Sequence, residues 1–456
     1  MKKTYILLLL IFISSFLGCK KDESTPFENL DLLAKIQSLE GVEAIEITPE
    51  YDYPRAFQID ITQPVDHNNP EGAKFTQRIY LSHVDESMPM VFAPSGYTTS
   101  TKSGQEIAGI LSTNCLNVTH RYFTDAKPSP LDWQYLTIEQ AAADHHRIVE
   151  LFKKIYTDKW ISSGVSKSGQ AVLFHRKYYP DDVDATIAYV APFVFGPKDM
   201  AFANYIEAIG ESGCYTRLTE LQRNILQNRT EAIQLVDQYI LADNQSYSLD
   251  HGLILELAVM DYPFTFWQYY DYNCTDIPDA GNTLEEMFNH LTSVVPLYGF
   301  SNGSISHYEP YVYQTLTETG APGYKTDYLS DLLQKVDPND PGNPNFELLG
   351  PQGVSYTFNQ STLNDIYSWL QTQGNNIIYI YGTDDPWTAG AIELTGATNA
   401  IKILQSGENH RIKIADLDNP DLVYNALEEW LGIEIQTTKK LSIAYEEEYL
   451  GFRLKQ

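Results

Sequence analysis

At 456 residues the chain has room for two or three average domains, or one large domain with an insertion, and its 43% hydrophobic content supplies an ample core. Acidic residues outnumber basic ones 60 to 31, a net charge of -29 with no basic run to offset it, which argues against nucleic-acid and anionic-surface partners. Four cysteines exclude a disulfide-stapled scaffold and any multi-cysteine metal module.

Residues 1–19 read MKKTYILLLLIFISSFLGC: Lys2 and Lys3 precede an apolar stretch, Ile6 to Leu17, that is too short to span a bilayer. Leu17-Gly18-Cys19, followed by a polar run, resembles a bacterial lipobox, although Phe16 departs from its usual small aliphatic residue. Residues 1–18 are therefore expected to be a lipoprotein signal peptide, with Cys19 the lipidation site. The mature protein would be exported and membrane-anchored, on the periplasmic face or the cell surface, through its N-terminal lipid alone. An ordinary signal peptide with an incidental cysteine is the alternative. Residues 19–54 read as a tether and N-terminal extension.

Alternating apolar residues predict strands at 56–62, 75–84 and 88–93, with a fourth candidate at 115–122. A five-turn helical period covers 136–156, followed by a strand at 160–165, a helix at 166–179 and a strand at 185–191. Residues 195–330 then turn helical and aromatic throughout. Alternation returns with a helix at 363–373, a strand at 376–381, a helix turn at 392–394, a strand at 400–404 and a helix at 421–430. Strands alternating with helices imply a mostly parallel sheet covered on both faces. The reading is one α/β domain, 55–194 and 331–432, interrupted by a helical cap at 195–330, with 433–456 of no assigned role. Asp337, Asn339 and Gly342 mimic a calcium loop, but Pro341 and Leu348 stand where oxygen ligands belong. His145 and His146 are adjacent on a helix and so face apart. No metal and no cofactor are expected.

Gly164-Val-Ser-Lys-Ser-Gly169 sits between a predicted strand and a predicted helix, the setting of a nucleophile elbow that exposes Ser166 above the sheet. Small residues are needed two before and two after it; Gly164 and Ser168 qualify, with Ser168 where the strict pattern has Gly. A nucleophilic Ser needs a base, and the base an orienting carboxylate. The strand at 376–381 runs into Gly382-Thr-Asp-Asp-Pro-Trp387, where Asp384 and Asp385 compete and Asp385 is favoured. After the next strand comes His410. Ser166, Asp385 and His410 thus fall in order on loops that follow successive strands. Oxyanion donors are expected from the backbone N–H of Lys167 and from Gly96 or Tyr97, with Tyr97 preferred.

Several blocks carry a family resemblance: QPVDH at 63–67, FTQRIYLSH at 75–83, HRYF at 120–123, and DWQYLTIEQAAADHHRIV at 132–149. It continues through GVSKSGQAVLFHRKYYPDDVDATIAYVAPF at 164–193, DYPFTFWQY at 261–269 and DDPW at 384–387. With these the chain resembles the tripeptidyl aminopeptidase family of secreted bacterial serine peptidases, and more distantly prolyl carboxypeptidase. Ser168, in place of a usual Gly, and Thr124, where distant relatives carry Gly, are departures. The resemblance implies an α/β-hydrolase with an inserted helical cap and cleavage of peptide substrates near their N-termini, often beside proline, with Ser166, Asp385 and His410 at the triad positions.

An exopeptidase of that kind must bind a free amine, for which the cap offers Glu207, Glu211 and Asp261; Asp261, among aromatics, is the first choice. Cys214 and Cys274 are expected to form a disulfide in an oxidising compartment, leaving Cys115 free; pairing Cys115 with either is the alternative. An esterase on the same scaffold, and a non-catalytic peptide-binding lipoprotein, are the competing functional readings.

Overall fold

The computed structural model describes residues 26–269, 273–337 and 346–435. The signal segment, Cys19, the Pro-rich loop at 338–344 and most of the C-terminal extension lie outside the described residues.

Nine strands form one sheet: β1 (Val42–Ile47), β2 (Arg55–Pro64), β3 (Lys74–His83), β4 (Met90–Pro94), β5 (Asn114–Val118), β6 (Trp160–Val165), β7 (Ala185–Tyr189), β8 (Ile377–Gly382) and β9 (Ile401–Gln405). Their spatial order is β1-β2-β3-β5-β4-β6-β7-β8-β9. The first four in that order pair antiparallel, and every pair from β5 to β9 is parallel. This is the mostly parallel sheet anticipated from the alternation, and the α/β-hydrolase architecture that the resemblance implies, with one strand more. The extension does not end as a tether: α1 (Leu32–Gln37) leads into β1, which pairs with β2 from Val42 opposite Ile61 to Ile47 opposite Ala56.

Period-two burial assigns the two faces. Met90 and Phe92 of β4 join Ile148, Val149 and Phe152 of α3 (Ile138–Phe152). Val91 and Ala93 point the other way, to Ile107 and Ala108 of α2 (Glu106–Leu111). Likewise Ile377 and Tyr379 meet Val172 and Leu173 of α4 (Lys167–Tyr178), while Ile378 and Ile380 meet Val423 and Leu427 further along the chain. Each such side chain contributes about 1.5–3 kcal/mol by leaving water, and a one-residue slip would reverse the faces.

Between β7 and β8 lie the cap helices α5 (Met200–Ile206), α6 (Cys214–Gln227), α7 (Arg229–Asp243), α8 (His251–Tyr269), α9 (Leu284–Val294) and α10 (Asn302–Gln314). Leu218, Leu221, Ile254, Phe266, Phe288 and Leu291 share one apolar cluster, to which Leu333 and Val336 also belong. Phe346 and Leu349 pack on Val312 and Leu316. Cap packing therefore runs past residue 330, and the return to the sheet domain begins at α11 (Gln360–Gln373), followed after β9 by α12 (Asp421–Leu431). Cys214 and Cys274 are bridged, at a Cα separation of 5.3 Å, and Cys115 is free and buried.

The helix turn expected at 392–394 is absent; a short 3-10 turn forms at Pro386–Gly390 instead. The amides of Ile392 and Glu393 donate to the hydroxyls of Tyr381 and Tyr367, so side chains replace the helical acceptors. The fourth strand ends at Val118 rather than Tyr122, where the backbone reverses with Tyr122 at φ 73°.

Candidate active site

Ser166 occupies the junction of β6 and α4 at φ 58° and ψ -120°, a region that non-glycine residues adopt only when their surroundings enforce it. Its N–H donates to the Tyr189 carbonyl at 2.8 Å, tying the junction to β7. A Cβ at Gly164 would lie 2.3 Å from the Ser168 carbonyl oxygen, and one at Gly169 would lie 2.8 Å from Ala191 Cβ. Steric demand thus falls on 164 and 169, which explains why position 168 accepts a serine. Ser166 remains 5% exposed.

Asp385 and His410 meet because β8 ends in glycine. A Cβ on Gly382 would stand 2.1 Å from the Glu408 carbonyl oxygen, so only glycine lets the His410 loop close on the β8 loop. The Asp384 N–H then donates to that carbonyl at 2.9 Å. Of the two competing acids, it is Asp385 whose Oδ2 accepts from His410 Nδ1, at 2.6 Å; its Oδ1 accepts the Trp387 N–H at 3.0 Å. Asp384 is half-buried and takes the Thr383 hydroxyl. An ionised carboxylate only accepts, so it assigns the proton to Nδ1 and leaves Nε2 as an acceptor. Nε2 is buried and has no hydrogen-bond partner among the described residues.

The cap reaches the same histidine. The His410 N–H donates to the Gln268 carbonyl, in the last turn of α8, at 3.1 Å. The rings of Tyr269 and Trp387 flank the imidazole, with centroids 5.8 Å and 6.3 Å away. Phe264 and Phe202 pack edge-on against Trp387 at 5.0 Å and 5.6 Å. Two turns back along α8 lies Asp261, half-buried, with Thr265 Oγ1 donating at 2.7 Å and the Tyr324 hydroxyl at 3.0 Å. Among the described residues it has no cationic partner. Beside it a cavity is lined by Ala203, Met260, Pro263, Phe264, Tyr324 and Lys325, whose ammonium is paired with Glu207. Burial and the neighbouring Asp261 charge hold the Tyr324 phenol well above its ordinary pKa, so it stays a donor.

Glu207 is arranged otherwise than expected: it is exposed and paired with Lys325 at 2.5 Å, so a cation already meets its charge. The Gly96 N–H, the other expected oxyanion donor, donates to Ser168 Oγ at 2.9 Å. The Tyr97 N–H rests on Ser95 Oγ at 2.9 Å, and Lys167 supplies the first helical N–H of α4. Sequence reasoning missed the Tyr324 hydroxyl and the Gln268 carbonyl, since no local spacing announces partners so distant in the chain.

Other blocks of the resemblance meet around a buried ion pair. Arg121 of HRYF, fully buried, donates to Asp144 at 2.7 Å and 2.8 Å and to the carbonyls of Val65 and Tyr135. His67 of QPVDH meets the same carboxylate at 2.7 Å. These residues hold β2, β5 and α3 together.

A family profile described as PS-10 peptidase S37 matches residues 26–440. The chain belongs to the PS-10 peptidase S37 family. It is a serine peptidase, and hence a hydrolase. It is 30% identical over 420 residues to the prolyl tri/tetrapeptidyl aminopeptidase of Streptomyces mobaraensis, covering 90% of this chain and 87% of that one. Among solved structures, proline iminopeptidase of Mycobacterium smegmatis aligns with a TM-score of 0.37 at 11% identity, over 82% of this chain and 97% of its own. VinJ aligns with a TM-score of 0.39 at 9% identity, over 82% and 98% respectively.

Proposed function

We propose that the chain is an aminopeptidase that releases short N-terminal fragments, tripeptides or proline-containing pieces, from peptides. Ser166 attacks the scissile carbonyl, His410 Nε2 takes its proton and returns it to the leaving amine, and Asp385 stabilises the imidazolium. The developing oxyanion is received by the N–H groups of Lys167 and Tyr97.

The observation that carries this reading is that α8 meets His410 at one end and carries in its middle an acid without a cationic partner among the described residues. Its last turn docks on His410 through the Gln268 carbonyl, and its middle carries Asp261, held by two neutral hydroxyls. An acid whose charge no cation answers suits a protonated amino terminus. Asp261 and Gln268 are seven residues apart, about 10 Å along a helix, and three extended residues span about 10 Å. The Phe264, Pro263 and Trp387 walls suit an apolar or proline ring between them. The Streptomyces relative bears a name for release of prolyl tri- and tetrapeptides, which supports the same product class.

A panel of chromogenic peptides of two to five residues, with free or acetylated amines, tests the reading. Free-amine tripeptides should be preferred, and equal turnover of acetylated substrates would contradict it. A fluorophosphonate should label wild type and leave Ser166→Ala unlabelled; retained activity in that variant would remove Ser166 from the mechanism.

We further propose that Cys19 carries the lipid that holds the enzyme at a membrane after export. No described helix is long and apolar enough to cross one. Labelling of cells with an alkynyl palmitate should mark the wild-type chain and not Cys19→Ala.

A further inference from the structure

The two residues that follow the nucleophile both reach Gly96. Ser168 Oγ accepts the Gly96 N–H at 2.9 Å, and Lys167 Nζ donates to the Gly96 carbonyl at 2.8 Å. A Cβ on Gly96 would lie 2.7 Å from Lys167 Cβ, so the loop after β4 rests directly on the elbow only because it carries no side chain there. Lys167 Nζ also donates to Gln314 Oε1 at 2.8 Å, in the last residue of α10, and sits 5.3 Å and 5.6 Å from the ring centres of Tyr97 and Phe123. Lys167, Ser168 and Gln314 are all buried.

Peptide planarity turns these contacts into a constraint. In a trans unit the carbonyl of Gly96 and the N–H of Tyr97 point in opposite directions. Fixing the carbonyl therefore fixes the N–H, while Ser168 fixes the unit before it. Without the ammonium the 96–97 unit keeps its hold on the Ser95 hydroxyl but loses the Lys167 hold on its carbonyl, and a rotated unit would turn a carbonyl oxygen, not a donor, toward the developing oxyanion.

We propose that Lys167 and Ser168 are positioning residues that lock the Gly96–Tyr97 peptide so that its N–H receives the substrate oxyanion, and that Gln314 ties this lock to the cap. In the resting enzyme the N–H lies on the neutral Ser95 hydroxyl at 2.9 Å; an oxyanion, a charged and stronger acceptor, displaces it. The proposal rests on the Ser166 reading above.

Lys167→Met, Lys167→Arg, Ser168→Ala and Gln314→Leu are compared on a free-amine chromogenic tripeptide and on the aldehyde of the same peptide, which becomes a hemiacetal oxyanion on Ser166. Lys167→Met should lose about 10²-fold in kcat, with KM within about twofold, and bind the aldehyde more weakly by a similar factor. Lys167→Arg should restore most of that loss, because it keeps the donor. Ser168→Ala and Gln314→Leu should each lose about tenfold in kcat, with the aldehyde constant moving in parallel. A fall in kcat without weaker aldehyde binding would make these residues merely structural and overturn the proposal. Unchanged kcat in Lys167→Met and Ser168→Ala, both with native urea transitions, would overturn it equally. Should Lys167→Met lose its cooperative transition, Gln314→Leu decides by the same two readouts. An active Ser166→Ala would instead defeat the triad reading, so the two failures are distinguishable.

Discussion

Asp144 of the sheet domain and Asp261 of the cap are both acids on long helices, yet their surroundings differ in kind. Asp144 is fully buried and answered by Arg121 at 2.7 Å and His67 at 2.7 Å. Asp261 is half-buried and, among the described residues, answered by the hydroxyls of Thr265 and Tyr324 and by no cation. In the first the charge is consumed in holding strands to a helix; in the second, on the reading proposed above, it is left for the amine of the substrate. The contrast is between these two acids, since the cap also holds cohesive pairs such as Arg229 with the buried Glu256.

The largest effect that separates the two is on stability. Arg121→Met should strand a buried carboxylate and cost about 3–5 kcal/mol, read from the urea midpoint. A loss below 1 kcal/mol would mean that Asp144 is solvated and the contrast is false. Next, opening the cap bridge with Cys214→Ser and Cys274→Ser together should cost about 2–4 kcal/mol, since the bridge closes a span of 60 residues. That loss should appear as earlier proteolysis within the cap, with the sheet fragment surviving. Smaller still, Asp261→Asn should leave the urea midpoint almost unmoved and raise KM for free-amine peptides about tenfold, or 1.4 kcal/mol. Acetylated peptides should show no change.

The last test is a pH slope, which sets buried groups of the two regions against each other. Burial pushes His145 down to about 3, with the neighbouring His175 adding to it, and burial holds His120 well below its ordinary value. Between pH 6.5 and 3 the unfolded chain binds protons that the folded His145 refuses. Its contribution is complete above pH 6.5 and lost as pH falls. Glu318 has the opposite sign. Burial pushes this carboxyl up to about 7, where its Oε2 accepts the Ile138 N–H of α3 at 2.7 Å. Its contribution is complete below pH 4.5 and lost as pH rises to 7. His145→Leu should reduce the rise of stability between pH 4.5 and 6.5 by at most about 1.4 kcal/mol per pH unit, and Glu318→Gln should steepen it. Unchanged slopes in both would show that neither site titrates on unfolding.

How much of this was legible follows the same division. In the sheet domain a period of two fixes which side chains face which layer, and loops at strand ends follow in chain order. The elbow position of Ser166 and the pairing of Asp385 with His410 are therefore legible from strands and turns. β1 was missed because it lies at the sheet edge: Val42 and Ala44 are buried, but Ile45 is 56% exposed, so the alternation breaks after two residues. In the cap the helices were evident, yet their partners were not. The preference for Asp261 over Glu207 rests in the sequence only on neighbouring aromatics; Lys325 and Tyr324, 118 and 63 residues away from Glu207 and Asp261 respectively, reveal which charge is already met. The Lys167–Gln314 contact, across 147 residues, leaves no local trace either.

On the proposed reading, in which His410 is the general base and Asp261 the amine anchor, α8 is a ruler. Its graduations are turns, each about 5.4 Å, against about 3.4 Å for an extended peptide residue. Product length would then be written in the span from Asp261 to Gln268, not in the triad or the cavity walls. Moving the carboxylate one turn toward the helix N-terminus would lengthen the measured fragment by one to two residues, and leave the chemistry at Ser166 untouched.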